Sequence, residues 1–123
     1  MPHPNLIILY VDSPLESARF YGDLLGLTPL EAQPTFAMFQ LDTGVRLGLW
    51  SRHTVEPASA SGALGGRGEL AFAVPDVTTV QMTYADWRTR GLTILQPPVD
   101  MDFGHTFTAQ DPDGHRLRVY TPF

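Results

Sequence analysis

The chain carries the same short pattern twice, once before its middle and once at its end. The segment LDTGVRLGLW at 41–50 aligns with DPDGHRLRVY at 111–120. Each segment has a glycine turn followed by alternating side chains, which predicts a tight turn that leads into a β-strand. A chain of 123 residues that repeats a supersecondary unit has to pack two copies of that unit. The repeat therefore limits the folds available to this protein more than any other feature does.

The elements upstream of each turn extend the repeat. NLIILYV at 5–11 predicts a strand, and the next segment predicts a helix with Ser13 as its N-cap and Gly26 at its end. From residue 69 the same order begins again, and a shift of 64 residues places Asn5 over Glu69 without a gap. The remaining predicted elements are strands at 27–32, 35–41, 45–50, 69–74, 92–96, 105–110 and 116–120, and a second helix at 75–91.

The sequence therefore predicts an α+β fold in which two βαβββ units form curved mixed sheets around a cleft. We expect a single domain over 1–123, with an internal repeat at 1–50 and 67–123 joined by a loop at 51–66. One unit alone leaves a sheet face uncovered, and two units close around a shared concavity. The loop is rich in Gly, Ala and Ser, and we expect its end to form a mobile rim of the cleft.

Composition excludes several classes of function. The net charge is −5 and no block of Lys or Arg occurs, so we expect no nucleic-acid partner. No apolar stretch is long enough to cross a bilayer, and we expect a soluble, cytoplasmic protein without a membrane partner. The chain has no cysteine, which excludes disulfides, zinc–thiolate sites and cysteine nucleophiles.

Two motifs resemble those of a known family. VDSPLESARFYGDLLGL near the start and DPDGHRLRVY at the end are similar to motifs of the vicinal-oxygen-chelate superfamily, which contains glyoxalase I, extradiol dioxygenases and bleomycin-resistance proteins. The resemblance covers essentially the whole chain. It implies two curved sheets around a ligand cleft and a homodimer.

The resemblance also implies where metal ligands would lie. The family's metalloenzymes use the first and last strands of each unit, and these positions fall on Asn5, Gly48, Glu69 and Arg118. Gly48 has no side chain, and Arg118 is a permanent cation that cannot donate a lone pair. We therefore predict no metal and no cofactor. A slip of one residue would reverse the facing of a strand, and the gapless match argues against such a slip.

Strand alternation assigns the residues of the expected cleft. With Asn5 facing the cleft, Leu6, Ile8 and Tyr10 pack under the helix. Gly48 leaves space in the cleft, and Arg118 supplies a cation that a ring or an acid group can pair with. For Glu69 and Arg118, a purely structural ion pair is an equal alternative. The predicted ligand-binding residues are Trp50, Arg118, Glu69, Gly48, Asn5, Phe103, His105, Phe107 and Tyr120. Trp87 is expected in the core.

We expect this protein to bind and sequester a planar aromatic small molecule without a metal, as in antibiotic resistance. Within the family, the residues are most similar to the phenazine-binding type. The alternative is an enzyme, either a glyoxalase- or dioxygenase-like lyase or a metal-free isomerase with Glu69 or His105 as its base. A third possibility is an accessory protein that carries a biosynthetic intermediate.

Overall fold

A computed structural model describes residue 1, residues 3–58 and residues 68–123. The described residues form two compact units, one on each side of the segment 59–67. The second part of the predicted loop 51–66, and with it most of the expected rim, lies outside the described residues. The shared cleft stays a prediction, and so does the single domain. In the described part of the chain, neither helix is long and apolar enough to span a membrane.

Unit 1 consists of one helix and one four-stranded mixed sheet. The strands are arranged in the order β1-β4-β3-β2, with β1 parallel to β4 and the other pairs antiparallel. Its elements are β1 (Leu6–Val11), α1 (Pro14–Leu25), β2 (Glu31–Ala32), β3 (Phe36–Gln40) and β4 (Arg46–Ser51).

Unit 2 repeats this topology strand for strand. Its order is β5-β8-β7-β6, again with one parallel pair, β5 with β8. The predicted fold class, an α+β chain of two βαβββ units, is confirmed. The elements of unit 2 are β5 (Glu69–Ala73), α2 (Val77–Thr89), β6 (Thr93–Met101), β7 (Gly104–Gln110) and β8 (Arg116–Pro122).

Local sequence signals set the ends of the helices. The Ser13 hydroxyl accepts a hydrogen bond from the Glu16 N–H at 3.3 Å, and Gly26 ends α1 in the left-handed region with φ 67°. In α2 the Asp76 carboxylate accepts from the Thr79 N–H at 2.8 Å. These caps satisfy backbone groups that have no partner inside the helix, so the helix begins and ends where the sequence predicts it.

The two repeated turns have the same backbone conformation. Gly44 has φ 89° and Gly114 has φ 85°, a region that residues with a β-carbon rarely adopt. The Gly44 N–H donates to the Leu41 carbonyl at 3.1 Å, and the Gly114 N–H donates to the Asp111 carbonyl at 3.0 Å. The 70-residue alignment of the two turns is therefore confirmed.

The first strand, in contrast, is shifted by one residue from its predicted alignment. Ile8 lies opposite Gly48 on β4, just as Ala71 lies opposite Arg118 on β8. The same registers place Leu6 at the position that Glu69 has in unit 2, an offset of 63 residues rather than 64. Asn5 precedes β1 and is not the counterpart of Glu69, so the predicted alignment of these two residues was wrong. The participation of Asn5 in the site stays a prediction.

The facing of β1 changes with this shift. Leu6, Ile8 and Tyr10 lie on the sheet face opposite α1, and Val11 on the other face is fully buried. The sequence did not predict this facing because both faces of β1 carry apolar residues. Adjacent Leu6 and Ile7, which lie on opposite faces, are also similarly exposed, at 39% and 44%. Without alternation between polar and apolar residues, the sequence carries no signal for the register.

Each core lies between a sheet and its helix. In unit 2, Trp87 of α2 is buried with its ring 5.4 Å from that of Phe107, which confirms the prediction for Trp87. Phe107 is 0% exposed and its ring also lies 5.4 Å from Tyr84 of α2. Phe107 is therefore a core residue, a position that disfavours its predicted role in ligand binding. The other fully buried large residues include Tyr21, Phe39, Leu49, Val80 and Leu117.

Candidate functional site

The sheet of unit 2 has one face covered by α2 and a second face on the other side, which we name the open face. Most of the polar residues that the sequence predicts for ligand binding in unit 2 lie on this open face. Arg118 on β8 lies between Ala71 on β5 and Thr108 on β7. Two residues further along each strand, and so on the same face, Tyr120 lies opposite Thr106. Paired residues on neighbouring strands point to the same face, so these side chains share one surface.

Arg118 and Glu69 form a two-pronged ion pair on the open face. The Arg118 Nε donates to Glu69 Oε2 at 2.7 Å, and Nη2 donates to Oε1 at 3.0 Å. The Arg118 side chain is 17% exposed and the Glu69 side chain is 31% exposed. Arg116 lies near the same carboxylate, with its Nη1 3.9 Å from Oε1. Two guanidinium groups thus share one carboxylate, and the cluster keeps a net charge of +1.

The ion pair shifts the pKa of both partners. The hydrogen bonds from Arg118 lower the pKa of Glu69, and the partial burial of the carboxyl opposes this only in part. The same contact raises the pKa of the Arg118 guanidinium. A carboxylate with a lowered pKa is a weaker base, which disfavours Glu69 in the role of a general base at neutral pH.

A substitution of Glu69 should reveal this contribution in the pH dependence of stability. A carboxyl whose pKa is lowered by folding stabilises the folded state above its ordinary pKa of about 4.3, and this stability is lost as the pH falls through the lowered value. We expect Glu69→Gln to flatten the decline of the urea midpoint between pH 5 and pH 3. Arg118→Ala should flatten the same window, because the guanidinium causes the shift. A Glu69→Gln profile parallel to that of the parent would contradict the assignment.

Two aromatic rings lie next to the cation. The Arg118 Cζ is 5.9 Å from the centroid of the Phe103 ring, and the Phe103 ring meets the Tyr120 ring edge to face at 6.0 Å. Phe103 lies between β6 and β7 and is 44% exposed. The open face thus combines a held guanidinium with an accessible aromatic surface, a combination suited to a flat ligand with an acid group.

His105 does not belong to this cluster. It lies opposite Thr121 in the β7–β8 ladder, on the face covered by α2. Its Nδ1 is 2.7 Å from Asp100 Oδ1 and its Nε2 is 2.8 Å from the Gln81 side-chain nitrogen on α2. His105 therefore lies on the opposite face from Arg118, and its predicted contact with a ligand stays a prediction. The alternation in HTFTAQ indicates the correct facing, because it puts two threonines on one face and Phe107 on the other.

The corresponding face of the unit 1 sheet is apolar. Trp50 and Phe36 lie opposite each other on β4 and β3, and their rings meet edge to face at 6.2 Å. A β-carbon on Gly48 would be 3.1 Å from Phe36 Cζ and 3.4 Å from Ile8 Cγ1. The Phe36 ring therefore takes up the space next to Gly48, and the predicted contact of Gly48 with a ligand stays a prediction. Phe36, rather than Phe39, lies on this face.

This packing makes Gly48 sensitive to a larger side chain. We expect Gly48→Val to lower the free energy of unfolding by about 1–3 kcal/mol, because the added carbons overlap the Phe36 ring. The double variant Gly48→Val/Phe36→Ala should be less destabilised than the sum of the two single variants, since the smaller residue removes the overlap. Urea denaturation of the four proteins measures the cycle. Strict additivity would show that the two side chains do not compete for this space.

The residues at the family's ligand positions do not fit a metal ion. By register, the four positions are Leu6, Gly48, Glu69 and Arg118. Only Glu69 offers a donor atom, and its two oxygens already bind the guanidinium. Within residues 3–58 and 68–123, no three histidine or acidic side chains are grouped in a way that could hold a metal ion.

Comparison with known proteins identifies one family and several solved structures that match nearly all of this chain. The model of the Glyoxalase/Bleomycin resistance protein/Dioxygenase superfamily matches residues 3–119. A protein of Agrobacterium tumefaciens solved by NMR in solution is 54% identical, with a TM-score of 0.89 over 100% of this chain and 99% of that one. A glyoxalase/bleomycin resistance protein/dioxygenase from Nocardioides is 25% identical, with a TM-score of 0.81 over 100% of this chain and 85% of that one.

One relative is described by the compounds it protects against. The phenazine antibiotic resistance protein EhpR of Enterobacter agglomerans is 26% identical over 119 residues. The match covers 94% of this chain and 89% of that protein. The similarity therefore extends over parts of both units.

Proposed function

Because the chain belongs to the Glyoxalase/Bleomycin resistance protein/Dioxygenase superfamily, we propose that it binds a planar aromatic small molecule carrying an acid group, and that it does so without a metal. The proposed binding surface is the open face of unit 2. One observation carries the proposal. The guanidinium of Arg118 is held by Glu69 and lies 5.9 Å from the ring of the exposed Phe103.

The charge of this cluster favours an acid group on the ligand. Glu69 neutralises only one of the two guanidinium groups near it, so the net charge of +1 remains available to an anion. Arg118 is only 17% exposed, and an ion pair that excludes water at such a position is stronger than one at the surface. Guanidinium groups bind carboxylates in a two-pronged geometry that fixes the orientation of the ligand. Because Nε and Nη2 of Arg118 already bind Glu69, the ligand acid group takes this geometry by displacing the Glu69 carboxylate.

The aromatic side chains favour a flat ring system. Phe103 presents its ring beside the cation, and a ligand ring stacked on it gains about 1 kcal/mol beyond the area that it buries. Phenazines are flat tricyclic molecules, and the similarity to EhpR supports this class of ligand. Protection by sequestration needs only tight and reversible binding, which requires no reacting group on the protein. The participation of Trp50, the homodimer and the cytoplasmic location stay predictions.

Calorimetric titration of the full chain tests the proposal. We expect phenazine-1-carboxylate to bind with a Kd of about 1 μM or tighter, which is about −8 kcal/mol. Phenazine-1-carboxamide, which has the same ring without the charge, should bind at least about tenfold more weakly. Dialysis against EDTA should change neither value, and the ligand recovered from the complex should be chemically unchanged. Equal affinity for the acid and the amide, or binding of neither, would contradict the proposal.

A further inference from the structure

The open face contains a buried hydroxyl that has no hydrogen-bond partner. Thr108 is 2% exposed, and among the described residues its hydroxyl neither donates nor accepts a hydrogen bond. Thr106, two residues earlier on the same face, is equally buried, but its hydroxyl donates to the Val119 carbonyl at 2.9 Å. The missing partner is therefore specific to Thr108 and does not follow from threonine on β7 in general.

A buried polar group without a partner destabilises a folded protein and calls for a specific explanation. We infer that the Thr108 hydroxyl donates a hydrogen bond to a heteroatom of the bound ligand, so that the ligand is a heteroaromatic acid and not an aromatic acid built of carbon rings alone. The inference rests on the proposed function and names the class of compound that the open face selects.

The position of Thr108 supports this assignment. Thr108 and Arg118 are direct cross-strand partners, and the β-carbons of such partners lie about 5 Å apart. A ligand acid group on Arg118 thus brings the neighbouring ring atoms of the ligand next to Thr108. In phenazine-1-carboxylate one ring-fusion carbon separates the ring nitrogen from the carbon that carries the acid, so one edge of the molecule offers both groups. Arg118 binds Glu69 through Nε and Nη2, so we expect its side chain to turn from Glu69 towards the ligand acid when the ligand contacts Thr108.

Two ligands with the same tricyclic outline and the same charge test the inference. Phenazine-1-carboxylate has ring nitrogens, whereas anthracene-1-carboxylate has C–H groups in their place. We expect the parent protein to prefer the phenazine by about tenfold, as one hydrogen bond allows. Thr108→Val, which replaces the hydroxyl by a methyl group, should weaken phenazine binding about tenfold and leave anthracene binding within about twofold of the parent.

The control and the possible outcomes separate the inference from the proposed function. Thr121→Val removes a buried threonine hydroxyl from the opposite face of β8 and should keep the parent's preference for the phenazine. Equal binding of both acids by the parent would overturn the inference and leave the proposed function intact. A preference that survives in Thr108→Val would overturn it in the same way. Binding of neither acid by the parent would refute the proposed function, and the inference with it.

Thermal stability gives a second readout that needs no ligand. Removal of an unsatisfied hydroxyl stabilises a protein, whereas removal of a bonded one destabilises it. We expect Thr108→Val to raise the melting temperature by about 3 °C and Thr106→Val to lower it by a similar amount. A lower melting temperature for both variants would show that the Thr108 hydroxyl is satisfied within the protein, and this would overturn the inference.

Discussion

Replacement of Arg118 by alanine is expected to weaken the binding of phenazine-1-carboxylate about 100-fold, which is about 2.7 kcal/mol. The variant loses the two-pronged cation and leaves the Glu69 carboxylate, whose two oxygens lie 2.7 and 3.0 Å from the guanidinium in the parent, to repel the ligand's acid group. The affinity of the variant for phenazine-1-carboxamide should fall less than about fivefold, because the contact of this compound with the aromatic rings persists. Calorimetric titration of both compounds measures the difference.

Two further variants make this result specific. Arg118→Lys keeps the charge but cannot form the two-pronged contact. We expect its affinity for phenazine-1-carboxylate to lie between that of the parent and that of Arg118→Ala. Arg88→Ala removes an arginine of α2 that lies over the Tyr84 ring at 5.3 Å, away from the open face. It should bind both compounds as the parent does. If Arg118→Ala weakened the acid and the amide by the same factor, its effect would be structural and the acid group would bind elsewhere.

Phe107→Ala is expected to lower the free energy of unfolding by about 3–5 kcal/mol. Phe107 is 0% exposed and packs against two rings of α2, so its truncation leaves a cavity between the helix and the sheet. Phe103→Ala removes the same ring from a position that is 44% exposed and should cost less than about 1 kcal/mol. Urea denaturation measures both values.

For ligand binding we expect the reverse order, with a larger effect of Phe103→Ala than of Phe107→Ala. Phe103→Ala is expected to weaken the binding of phenazine-1-carboxylate about fivefold, because the ligand loses the ring beside Arg118. Phe107→Ala, measured at a temperature where it remains folded, should bind within about twofold of the parent. A large loss of affinity with little loss of stability in Phe107→Ala would restore this residue to the binding site and contradict its place in the core.

Much of the architecture could be predicted from the sequence because its signals are local. The glycines at 44 and 114 mark two turns of the same conformation, and Ser13 and Gly26 mark the ends of α1. These residues act on the backbone within a few positions of themselves, so they need no knowledge of the partner strand. The family predicted from the two motifs is confirmed, and the fold class with it.

The contents of the open face were less predictable. The sequence brought Glu69 and Arg118 together as candidates, and the structure shows the contact between them. It did not single out Thr108, although the alternation along β7 places that residue on the same face as Arg118. Whether a buried hydroxyl has a hydrogen-bond partner depends on the positions of all the groups around it. No local sequence pattern therefore predicts a missing partner.

By itself, the sequence determined that the chain repeats one strand–helix–three-strand unit and where its helices and turns lie. Only the tertiary structure decided which face each strand presents. It moved the counterpart of Glu69 from Asn5 to Leu6 and turned His105 towards α2. The physical reason is that side chains alternate with a period of two along a strand. A shift of a single residue reverses every side chain, and for a strand that is apolar on both faces only its pairing with the neighbouring strand fixes that shift.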